Sequence, residues 1–99
     1  MKIKDKSVNI WGLQVEMQPV LKAADTIWKQ FGQELTITSA RDGMHSAGSL
    51  HYYGFAVDLR IWGLEGVVQT LATNLRSILG SDYDVIVHSS HIHVEYDPK

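Results

Sequence analysis

Ser49-Leu50-His51-Tyr52-Tyr53-Gly54-Phe55-Ala56-Val57-Asp58 decides how this chain is read. Beyond Gly54 the residues alternate. Phe55, Val57 and Leu59 fall on one side, and Ala56, Asp58 and Arg60 on the other. A period of two predicts a strand, here from Phe55 to Ile61. Asp58 shares a face with Ala56, whose small side chain is expected to leave open space beside the carboxylate. Gly54 permits a tight turn, so His51 can fold back over the start of the strand. An imidazole and a carboxylate brought together in this way are two ligands for a borderline metal such as zinc.

The end of the chain supplies further candidates. His88-Ser89-Ser90-His91-Ile92-His93-Val94-Glu95-Tyr96 holds three of the five histidines. With Ser89-Ser90 as a two-residue hairpin turn, His88 stands opposite His91 and Ile86 opposite His93. Directly opposed residues share a face. His88, His91, His93 and Glu95 then project together, and Ile92, Val94 and Tyr96 face the other way. In this register Glu95 also opposes Asp84, an unfavourable pairing of like charges unless a cation lies nearby. Glu95 can instead accept a hydrogen bond from His93 or His51 and so fix the ring tautomer.

The combination Ser-x-His-x-x-Gly-x-Ala-x-Asp followed later by His-x-His resembles the zinc D,D-carboxypeptidase group. That group includes bacterial carboxypeptidases, vancomycin-resistance dipeptidases and phage endolysins, and Hedgehog signalling domains share its fold. The likeness runs from about Thr36 to Tyr96. It implies zinc held by His51, Asp58 and His93. It also implies an arginine, Arg41, that steadies a substrate carbonyl or carboxylate. His88 and His91 match the extra histidines of the carboxypeptidase branch, as catalytic or supporting groups. Many members carry an acid three residues before the last zinc histidine; Ser90 stands there in this chain.

Composition narrows the field. Ninety-nine residues suffice for one small domain, 1–99, with one core. The net charge of −2 comes from interspersed acids and bases. Only Lys2, Lys4 and Lys6 cluster, so no phosphate-binding surface and no nucleic-acid partner are expected. The absence of cysteine excludes disulfides and thiolate zinc sites. No apolar run has the length of a membrane span, and the N-terminus lacks the apolar stretch of a signal peptide. Synthesis in the cytoplasm is expected, with access to a cell wall through lysis or a phage holin. A monomer is expected.

The pattern is helical from Val15 to Phe31, with Val20, Ala24, Ile27, Trp28 and Phe31 on one stripe. Pro19 fits only the first turn, and Gly32 caps the end. Leu35 to Thr38 reads as a strand. Arg41 to Leu50, which contains His45, reads as a loop bordering a cleft. Leu64 to Leu79 reads as a second helix closed by Gly80. Ile10, Trp11 and Leu13 are expected to pack as a lid, and all three tryptophans, with Tyr52 and Tyr53, to line core or cleft. The order α-β-β-α-β-β predicts an α+β domain, with two helices on a small, largely antiparallel sheet of the Hedgehog/D,D-peptidase type.

Two functions follow. The first is a zinc metallopeptidase acting on peptidoglycan stem peptides, as carboxypeptidase or endopeptidase, with His91 handling protons and Glu95 in a supporting role. The second is a non-catalytic, zinc-stabilised binding domain of the same fold. A bland alternative is a polar network, with Asp58 paired to Arg60 or Arg41 and the histidines bonded to one another. Such a network is costly unless every buried member is paired.

Overall fold

A computed structural model describes residues 1–40 and 54–98. In chain order the elements are β1 (Lys2–Ile3), α1 (Gln18–Gln30), β2 (Thr36–Ser39), β3 (Ala56–Arg60), α2 (Val68–Leu79), β4 (Tyr83–Val87) and β5 (His91–Tyr96). Short 3-10 turns at Val15–Met17 and Glu65–Val67 lead into the two helices. The protein is α+β, with two helices and a mixed five-stranded sheet in the order β1-β2-β3-β5-β4. Only the β1–β2 pair is parallel.

Each element forms for a local reason. In α1, Pro19 sits in the first turn, where its missing N–H costs no helical hydrogen bond. Val20, Ala23, Ala24, Ile27 and Trp28 are buried at helical spacing. Gly32, just beyond, takes φ +78°. In α2, Leu71, Ala72 and Leu75 are buried.

The sheet presents Ile37, Val57, Leu59, Ile92 and Val94 to the same core as the helices. Their alternation places Asp58, Arg60, His91, His93 and Glu95 on the opposite face, all partly exposed. The fold therefore spends one sheet face on stability and leaves the other free for polar groups. Truncating a fully buried member such as Leu59 to Ala would cost about 2–5 kcal/mol.

Three expectations need correction. A strand, β1, precedes the first helix; at two residues it is too short to show a period. Of the three tryptophans Trp28 lies in the core, Trp62 lines a recess as expected, and Trp11 is 93% exposed. Trp11 therefore does not pack as part of a lid, although Ile10 and Leu13 do pack against the core. Ala56 is fully buried, so the space beside it is not open.

Candidate metal and catalytic site

The site grows from strand register. Asp58 on β3 pairs with His93 on β5, and Arg60 pairs with His91. On the other flank of β5, Ile86 pairs with His93 and Asp84 with Glu95, as the hairpin reading required. The His88 N–H donates to the His91 carbonyl at 2.9 Å, closing the hairpin. No non-glycine residue has positive φ among those described, so Ser89-Ser90 does not form a primed turn.

His93 is the hub. Its Nδ1 lies 2.8 Å from Asp58 Oδ1, and its Nε2 lies 2.7 Å from Glu95 Oε1. An ionised carboxylate only accepts, so a ring nitrogen facing one donates to it. Carboxylates at both ends favour the charged form of the ring. Its pKa is raised above the usual histidine range, chiefly by the hydrogen bond to Asp58. Burial opposes this rise, and Glu95 adds to it. Glu95, opposed to Asp84 across the strands, meets the His93 ring, whose charged form eases that like-charge pairing. Among the described residues Asp58 thus engages His93 and His91 and not Arg60; Arg41, the other partner in the polar-network alternative, lies outside them.

His91 flanks the pair. Its Nε2 lies 3.7 Å from Asp58 Oδ2, and its Nδ1 lies 3.1 Å from the Ser90 hydroxyl. The Ser90 hydroxyl engages the neighbouring ring, because a side chain in the turn escapes strand alternation. His88 stacks on His91 with centroids 4.9 Å apart and meets His93 edge-on at 6.3 Å. The three rings form one row on the outer face.

The donor set suits a borderline divalent ion. Asp58 Oδ1 and His93 Nδ1 would be the atoms that hold it. Displacing the Nδ1 proton frees that lone pair, while Glu95 keeps the proton on Nε2. That is the usual support of a metal-binding imidazole by a carboxylate. His51, the expected third ligand, lies outside the described residues, as do Arg41 and His45.

Among the described residues, one group of three acidic or histidine side chains brings its ligand atoms within 4.8 Å of one another: Asp84, Glu95 and Asp97. Such partly exposed acidic clusters commonly form without a metal. His91, Asp58 and His93 do not close into such a group, so His91 stands beside the pair and not as its third ligand. No helix among the described residues is long and apolar enough to cross a membrane. In comparisons with known proteins, no family model and no curated protein matches the chain.

Proposed function

We propose that this chain is a zinc-dependent metallopeptidase of the Hedgehog/D,D-peptidase fold, hydrolysing peptide bonds in peptidoglycan stem peptides. The observation that carries the reading is the line Asp58–His93–Glu95, with His91 alongside, on the sheet face turned away from the core. A solely structural network would not need a third histidine beside a carboxylate that His93 already occupies. The sequence likeness supplies the reaction class and assigns His51 as third ligand and Arg41 to the substrate.

Zinc held by Asp58, His93 and His51 would polarise the scissile carbonyl and bring the pKa of a water towards ~7. The remaining work falls to side chains. Glu95 holds the proton on His93 Nε2 and fixes the plane of the ring. His91 accepts the proton of the attacking water at Nε2 and later returns it to the leaving amine. For Nε2 to accept, Nδ1 must carry the proton and donate it to Ser90 Oγ, which lies in reach at 3.1 Å. Ser90 then orients the base, although it replaces the acid that many related enzymes use as one. His88, stacked on the far side of His91, limits the rotation of that ring.

Mass spectrometry of muropeptides incubated with the zinc-loaded protein tests the reading. Loss of one amino acid from the stem indicates a carboxypeptidase, and cleavage within the stem or cross-link an endopeptidase. Zinc-loaded protein that leaves every muropeptide intact would overturn the enzyme and favour a metal-stabilised binding domain.

A further inference from the structure

Arg60 follows Asp58 by two positions on β3, so the two side chains leave the same face about 6.8 Å apart along the strand. Its cross-strand partner is His91. Arg60 makes no ion pair with a described residue; its guanidinium carbon lies 3.8 Å from the centre of the Trp62 ring. Trp62 remains 63% exposed. Stacking engages the face of a guanidinium and leaves its in-plane N–H groups available, already fixed in direction.

Beside this stack is a recess of about 180 Å³, lined by Arg60, Trp62, Thr36, Gln33, Lys2 and Glu34 among others. The acid in this recess, Glu34, is engaged by Lys2 at 3.6 Å and not by Arg60. The backbone under the stack is rigid, because Trp28 Nε1 donates to the Arg60 carbonyl at 2.9 Å. A cation with no ion pair among the described residues, steadied on an aromatic ring beside a catalytic candidate, is suited to bidentate capture of a carboxylate.

We propose that Arg60 and Trp62 form a specificity subsite for a substrate side-chain carboxylate one or two residues from the scissile bond. This rests on the peptidase reading and adds to it a preference for acidic peptides. The spacing follows from the strand: an extended peptide whose scissile carbonyl lies at Asp58 and His93 brings a nearby side chain over Arg60.

Two peptides, identical except for a side-chain carboxylate or its carboxamide, test the subsite. Wild type should favour the acid by about 10–100-fold in kcat/KM, the share of a charge-assisted hydrogen-bonded pair. Arg60→Gln should bring that ratio close to one, and Arg60→Lys should restore part of it. The Trp62 indole N–H resonance should shift with the acidic peptide and not with the amide. A wild-type ratio near one, or a ratio that survives Arg60→Gln, overturns the subsite. If neither peptide is cut, the peptidase reading fails and the indole resonance alone decides the subsite; equal shifts with both peptides then overturn it.

Discussion

Asp58 and His93 face each other directly across the β3–β5 pair, with Oδ1 and Nδ1 2.8 Å apart. Both atoms would have to turn to the same ion. The zinc-loaded protein should therefore hold about one zinc per chain, and His93→Ala and Asp58→Ala should each lose most of it. Elemental analysis after gel filtration reads this. Full zinc content in either variant would remove that residue from the ligand set.

Glu95 meets His93 at the ring nitrogen far from Asp58. Glu95→Ala should keep the site but weaken zinc affinity by about 10–100-fold, as loss of a supporting carboxylate does. Competition with a chromophoric chelator measures the change. An unaltered affinity would mean that the 2.7 Å contact does not steer the ring.

The pH dependence of stability should change sign with the metal. Without metal, the His93 pKa in the folded protein lies above its unfolded value of ~6.5. The ring then contributes stability that is fully present below about pH 6.5 and lost as pH rises through the folded pKa. With zinc, the ring must give up its Nδ1 proton, so the metal's contribution grows with pH. Urea melts of wild type minus His93→Gln, with and without chelator, isolate the effect. The same slope in both conditions would count against competition between proton and metal.

Metal removal should also lower the melting point. At free zinc ~100-fold above Kd the linkage is ~2.7 kcal/mol. For a domain of this size ~1 kcal/mol moves the midpoint by ~4–8 °C. Scans with and without chelator should thus differ by roughly 10–20 °C. Superimposable scans would reduce the histidine row to a polar network.

His91→Ala should retain zinc and lose about 10²–10⁴-fold in turnover. Ser90→Ala should lose less, and it should alter the acidic limb of the rate profile, because the Nδ1 proton loses its acceptor. His88→Ala should also lose less than His91→Ala. Undiminished kcat in His91→Ala would move the base elsewhere, with Glu95 the next candidate.

Much of this arrangement was legible because it depends on short periods. Alternation from Phe55 to Leu59 separated Val57 and Leu59 from Asp58, and the first pair does lie in the core. The Ser89-Ser90 turn gave the Ile86–His93 and Asp84–Glu95 pairings, since one register aligns every alternate residue. Gly54 was read as a turn residue, and it does adopt φ +81°. What escaped was set by contacts distant in sequence. β1 exists only because Lys2 and Ile3 pair with Thr36 and Ile37. The stack of Arg60 on Trp62 leaves no mark on the sequence period.

The order of strands in the sheet bears on how the site comes together in time. β4 and β5 are joined by a short turn, so the row His88, His91 and His93 can close as a hairpin on a microsecond scale. Asp58 reaches that row only when β3 pairs with β5 across residues 61–90, which contain all of α2 and β4. By loop length alone that closure costs about 2 kcal/mol more chain entropy. In a refolding chain the imidazoles therefore come together ahead of the carboxylate. Zinc supplied at the start would meet a histidine cluster, whereas zinc supplied late would meet the finished mixed site. The timing of metal addition should thus affect refolding yield even where it leaves the final product unchanged.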